Sequence, residues 1–146
     1  MIEINNLTNF RLDKELFTGI AKKVLKGENR ETETLSLAFV SKEEIKKLNK
    51  KFRKKNKPTD VLSFGLNQEN FLGEIVICPE IVKENSLKYG IDFKKEMMRV
   101  FAHGILHLLG HDHPDEVEDP RQRRDEKSKK QADMMEEKER SYLSKI

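Results

Sequence analysis

Apolar and polar positions along this chain alternate with two different periods. Ile2 to Asn6 alternates residue by residue, as a half-buried strand does, and Thr34 to Val40 does the same. Between them, Asp13 to Leu25 carries Leu16, Phe17, Ile20, Ala21 and Val24 at helical spacing. Ser41-Lys42-Glu43-Glu44 has the pattern of a capping box, a serine followed three residues on by a glutamate. It opens a helix to about Lys54, with Ile45, Leu48 and Phe52 on one stripe. Val61 to Leu66 and Leu72 to Cys78 read as strands joined by a polar turn. Pro79 to Tyr89 is a helix with proline in its first turn and Gly90 after its end. Asp92 caps a further helix that runs to Leu109 and stops at Gly110. Beyond Pro120 the chain is very polar, but Ala132, Met135, Leu143 and Ile146 make a thin apolar stripe that suits a final surface helix.

The order is strand, helix, strand, helix, strand, strand, then helices. This predicts an α+β (mixed α/β) fold: one small mixed sheet of about four strands with helices packed on it. Helical crossovers favour parallel pairing among the first three strands, and the short link favours an antiparallel last pair. No internal repeat or interdomain linker is visible, so residues 1–146 are read as a single domain, a length that can bury its own core.

Composition narrows the setting. No 18-residue apolar run exists, so no membrane helix is predicted. The start, Met1-Ile2-Glu3-Ile4, lacks the features of a secretory signal, and a lone cysteine cannot form an internal disulfide. The expected location is the cytoplasm. Cys78 lies in the run Ile75-Val76-Ile77-Cys78 and is expected to be a small buried hydrophobe. Charged residues make up 38% of the chain, yet the net charge is only +3, so where the charge sits matters more than its sum.

The chemistry concentrates in the histidines. All four lie in His103-Gly104-Ile105-Leu106-His107-Leu108-Leu109-Gly110-His111-Asp112-His113. His103 and His107 are four apart on a predicted helix, which puts both rings on one face, one turn apart. Gly110 lets the backbone leave the helix in a conformation that other residues resist. The turn can then bring His113 toward the same ion. Three protein ligands with a fourth position left to water describe a catalytic zinc site. His111 falls outside this spacing and is read as solvent-facing or supporting. Asp112 either orients a ligand imidazole or forms a turn. The spacing resembles the metzincin motif H-E-x-x-H-x-x-G-x-x-H, but Gly104 stands where the catalytic glutamate belongs. That absence argues against a metalloprotease.

A second block, Lys50-Lys51-Phe52-Arg53-Lys54-Lys55-Asn56-Lys57, has six basic residues in eight. It is either a solvated helix end that suits the helix dipole or a surface for nucleic-acid phosphates. Arg53 can clamp a phosphate in two-point geometry. Asp60, where a loop enters a strand, is either a site residue or a turn cap. Glu96 and Arg99 share a face with His103 and His107 and either support the ligands or form an i,i+3 ion pair.

Taken together, Asn49 to Arg53, Pro58-Thr59-Asp60-Val61-Leu62-Ser63-Phe64, Leu72-Gly73-Glu74-Ile75 and His103 through His113 resemble, in order, the bacterial YbeY endoribonuclease family. The likeness covers almost the whole chain. The family's histidine motif is H-G-x-L-H-L-x-G-Y-D-H; here His111 replaces the usual Tyr, and Glu74 replaces an Asp. The resemblance implies a metal-dependent, single-strand-specific endoribonuclease acting in ribosomal RNA maturation, at the 3′ end of the small-subunit RNA, and in ribosome quality control. It implies one zinc ion on His103, His107 and His113, a functional arginine at Arg53, and as partners single-stranded RNA, ribosomal RNA and the small ribosomal subunit. A metalloprotease-like hydrolase and a non-catalytic ribosome assembly factor with a structural metal are the competing expectations.

Overall fold

The fold is known from a computed structural model that describes residues 2–110 and 126–144, without the side chains of Asn67 and residues 126–132. Four strands form one sheet: β1 (Ile2–Asn6), β2 (Thr34–Phe39), β3 (Val61–Gln68) and β4 (Phe71–Ile77). The helices are α1 (Lys14–Gly27), α2 (Lys42–Arg53), α3 (Pro79–Tyr89), α4 (Phe93–Leu108) and α5 (Glu126–Leu143). The expected caps form. The Asp13 side chain accepts from the backbone of Glu15 and Leu16, Ser41 from Glu44, and Asp92 from Lys95. Gly90 closes α3 with φ +65°.

The sheet order is β1-β2-β4-β3. β1 and β2 are parallel, β2 and β4 are parallel, and β3 runs antiparallel to β4. This corrects the expected parallel run of the first three strands, because the last strand sits between β2 and β3. The physical reason is burial. β4 is apolar along nearly its whole length, with Leu72, Ile75, Val76 and Ile77 buried, so it belongs in the centre. The hairpin then leaves β3 no place but the edge. In β4, Gly73 has φ +147°, and a Cβ there would run into the Phe64 carbonyl, so the strand crossing at this point requires glycine.

Strand alternation divides the core in two. On one face, Leu35, Leu37, Phe39, Ile75 and Ile77 pack against α1, α4 and Met135 of α5. There Phe17 meets Phe39 and Phe101 edge-on, with centroids 5.1 and 5.4 Å apart. On the other face, Leu62 and Val76 pack with Val40, Ile45 and Cys78 under α2. Cys78 is fully buried, as expected.

The expected final helix forms, and Met135 and Leu143 of its apolar stripe pack on the core where α5 docks on α1 and α4; Glu139, which the stripe did not include, is buried as well. Its side chains at Ala132 and Ile146 lie outside the described residues. Lys138 Nζ donates to both Glu28 oxygens at 3.1 Å, and the Tyr142 hydroxyl also donates to Glu28. The Tyr142 ring fills the space where a Cβ on Gly27 would stand. Phe52 departs from its stripe: Ile45 is buried and Leu48 packs on the second core, but Phe52 is 57% exposed.

Candidate metal centre and its supporting network

α4 carries the two histidines that the structure describes. It is long and apolar on its inner side, with Met97, Val100, Phe101, Ile105 and Leu106 buried, so its rotation about its own axis is fixed by packing. His103 is buried and His107 is half-buried, one turn apart. Gly110 follows the helix with φ +97°, and its N–H donates to the His107 carbonyl at 3.1 Å. The expected departure of the backbone at this glycine is therefore present. His111, Asp112 and His113 lie outside the described residues, and among those described no three His, Cys, Asp or Glu side chains come together as a metal-binding group.

Gly104 sits between α4 and the sheet. A Cβ there would lie 3.1 Å from Ile75 Cγ2 and 3.3 Å from Ser63 Oγ. The position where metzincins carry their glutamate is pressed against β3 and β4, and a longer side chain would have to push the helix away. The structure thus gives a packing reason for the glycine, in addition to the chemical consequence of lacking the glutamate.

The buried face of α4 also holds a chain of charges that the sequence showed only in part. Arg99 donates to Glu96 through Nε at 2.8 Å and through Nη2 at 3.2 Å, a two-point pair. Arg99 Nη1 lies 3.7 Å from Glu139 Oε2. The other Glu139 oxygen, Oε1, lies 2.6 Å from His103 Nδ1. Glu96 and Glu139 are almost completely buried, and Arg99 is half-buried. Burial alone would lower the Arg99 guanidinium, but the Glu96 hydrogen bond and charge, then Glu139 and Asp60, outweigh it and leave it raised. Asp60, at the mouth of β3, is therefore close enough for its charge to act on Arg99. Its backbone carbonyl accepts from the Cys78 N–H at 2.9 Å, and its side chain accepts from the Thr59 hydroxyl at 3.3 Å.

Of the two expectations for Glu96 and Arg99, the ion pair is present, and it reaches His103 through Glu139. Glu139 itself was missed. Nothing in the polar run Met135-Glu136-Glu137-Lys138-Glu139 distinguishes it from its neighbours, because only the docking of α5 selects it. A carboxylate on imidazole Nδ1 fixes the hydrogen there, since the carboxylate can only accept. The other ring nitrogen, Nε2, is then the donor left for a metal, the arrangement in which carboxylates orient metal-binding histidines. The imidazoles of His103 and His107 thus fit a divalent metal in spacing and in donor chemistry.

Arg53 is exposed in the last turn of α2. Asn49, one turn earlier, is buried, and its Nδ2 donates to the Lys57 carbonyl at 2.9 Å, which ties the basic turn to the helix. Glu74 is exposed on β4. A cavity of about 760 Å³ opens between α4 and α5 and touches Glu96, Arg99 and Glu139, but neither His103 nor His107 lines it.

Comparisons with known proteins agree on one family. A family model described as endoribonuclease YbeY matches residues 3–146. The endoribonuclease YbeY of Finegoldia magna is 39% identical over 138 residues, covering 88% of this chain and 90% of that protein. That of Thermotoga petrophila is 43% identical over 112 residues, covering 77% of this chain and 67% of that protein. That of Thermotoga maritima is 49% identical over 79 residues, which span 54% of this chain and only 53% of that protein. A Thermotoga maritima protein whose solution structure is known shares the fold with a TM-score of 0.63 and 32% identity, covering 99% of this chain and 93% of that one.

Proposed function

This chain belongs to the YbeY endoribonuclease family, and on that premise we propose that it hydrolyses phosphodiester bonds within single-stranded RNA, using one metal ion held by His103, His107 and His113. Zinc is the metal we assign, since three imidazoles with a fourth position open are a ligand set of catalytic zinc sites. The observation that carries this reading is the buried contact of 2.6 Å between Glu139 and His103 Nδ1, with His107 one turn further along α4. A carboxylate on Nδ1 leaves the other ring nitrogen of the buried histidine to face a metal, the arrangement that orients metal-binding imidazoles.

When bound, a divalent ion there supplies Lewis acidity toward a phosphoryl oxygen and toward water. The chain's own residues do the rest. Arg53 and the lysines around it hold the RNA backbone and offset negative charge that builds during cleavage. Glu139 keeps the hydrogen of His103 on Nδ1, and Arg99 and Glu96 keep Glu139 in place. Gly104 lets α4 lie close to the sheet and offers no base, which disfavours the metalloprotease reading. The substrate we assign is ribosomal RNA, with maturation of the small-subunit 3′ end and ribosome quality control as the setting, in the cytoplasm with the small ribosomal subunit as partner. No described helix is long and apolar enough to cross a membrane.

The test is cleavage of a defined single-stranded RNA by the purified chain, with metal content measured on the same samples. Wild type, His107→Ala, chelated protein and zinc-restored protein are compared. Cleavage is expected to follow metal occupancy and to vanish in the variant. Equal cutting by the variant and the metal-free protein would overturn the proposal and favour an assembly factor with a structural metal.

A further inference from the structure

Phe52 is the one aromatic side chain among the large hydrophobic residues that stand exposed in the described structure; the others are Leu7, Leu66, Leu87 and Met134. Its stripe on α2 predicts burial, yet 57% of its surface faces solvent. The ring is nevertheless anchored. It meets Phe64 at a centroid distance of 5.1 Å and an interplanar angle of 65°, and Phe64 packs on the second core. One side of Phe52 is thus braced by the sheet while most of the ring is open.

Its surroundings say what covers it. Residues 50–57 hold six cations and no acid. Lys51 Nζ lies 5.3 Å from the Phe52 ring centroid. The backbone of this basic turn is fixed by three hydrogen bonds: Lys54 N–H to the Lys50 carbonyl at 3.2 Å, Lys55 N–H to the Asn49 carbonyl at 3.3 Å, and Asn49 Nδ2 to the Lys57 carbonyl at 2.9 Å. Lys54 adopts the left-handed conformation to close it, with φ +58°. A braced aromatic face beside Lys51, at the head of a basic turn whose backbone is fixed, matches the two needs of a single-stranded polynucleotide, which are charge for phosphates and a flat apolar surface for a base. A duplex offers phosphates but keeps its bases stacked on one another. A protein partner of acidic character would be held by the lysines without needing a planar ring.

We propose that Phe52 is a stacking platform for one unpaired nucleobase of the RNA, seated beside the phosphates held by the basic turn. This deepens the RNA reading and rests on it. The contact is tolerant of sequence, because every base has a π-face. It also gives a physical source for single-strand preference that does not depend on the width of a cleft.

The chain contains no tryptophan, so Phe52→Trp places a single reporter at the platform. Two probes of equal length and charge are titrated at low salt: a 2′-O-methyl oligouridine of about ten nucleotides, and an abasic oligomer with the same backbone. Emission of the variant is expected to be quenched by the oligouridine and not by the abasic oligomer. Phe52→Ala is expected to bind oligouridine about tenfold more weakly than wild type and the abasic oligomer equally well. Phe52→Leu keeps an apolar contact with Phe64 but no planar face, and should bind as weakly as the alanine variant. If Phe52→Ala and wild type bind oligouridine alike, or both probes quench alike, stacking is refuted and the lysines alone account for binding. If wild type binds neither probe, the RNA reading itself fails.

Discussion

At the scale of single residues, the site depends on which nitrogen of His103 carries the hydrogen. Glu139 Oε1 lies 2.6 Å from Nδ1, and Arg99 lies beside the other carboxylate oxygen. Glu139→Gln keeps the volume and leaves an oxygen able to accept, but removes the charge that strengthens the imidazole as a donor. Zinc affinity, measured by competition with a chromophoric chelator, is expected to fall ten- to a hundredfold. An unchanged affinity would mean that Glu139 only fills space. Gly104 shows a different kind of residue-level constraint. Its pattern position invites comparison with a catalytic glutamate, whereas its contacts with Ile75 and Ser63 show that packing against the sheet governs it.

At the scale of elements, α5 is the part whose role was least visible beforehand. It delivers Glu139 only while it stays docked, and two contacts at the end of α1 hold it there: Tyr142 over Gly27, and Glu28 receiving Lys138 and Tyr142. Gly27→Ala puts a methyl group into the Tyr142 ring and should destabilise the chain by about 1–3 kcal/mol. Hydrogen exchange should show loss of protection in α5 before α4. Burial, then the hydrogen bond and charge of Glu28, push the Tyr142 phenol up to about 12. The folded chain holds that proton more tightly than the unfolded chain does. Its contribution to stability is therefore complete below about pH 10 and is lost as pH rises toward about 12. Thermal melts across that range should fall more steeply for wild type than for Tyr142→Phe. The strands and the first four helices were legible because their apolar period and caps are local signals. The docking of α5 was not, because its few apolar residues, Met135, Tyr142 and Leu143 among them, stand in a run of charges.

At the scale of the whole molecule, charge is divided by place. The net charge is only +3, yet six cations gather at the end of α2. RNA binding should therefore weaken linearly on a log–log plot of affinity against salt. Lys51→Ala should reduce the slope by about 0.7 if Lys51 contacts one phosphate. A slope unchanged by this substitution would place the backbone path elsewhere. α2 covers one face of the sheet and the histidine helix the other. Asp60 at the start of β3 lies between them, following the basic turn and close enough to act on Arg99.

The sequence by itself determined the order and kind of the elements, the mixed sheet, the family, and the histidine spacing with its terminal glycine. All of these are written in neighbours along the chain, through hydrophobic period, cap residues and motif spacing. Tertiary structure alone decided that β4 lies between β2 and β3, since burial of a largely apolar strand outranks chain order. It decided that Phe52 stands largely in solvent although its stripe points to the core, with only its contact to Phe64 of β3 holding it to the sheet. It also selected Glu139 from several equivalent acids, since only packing of α5 on α4 brings a residue 36 positions away to His103.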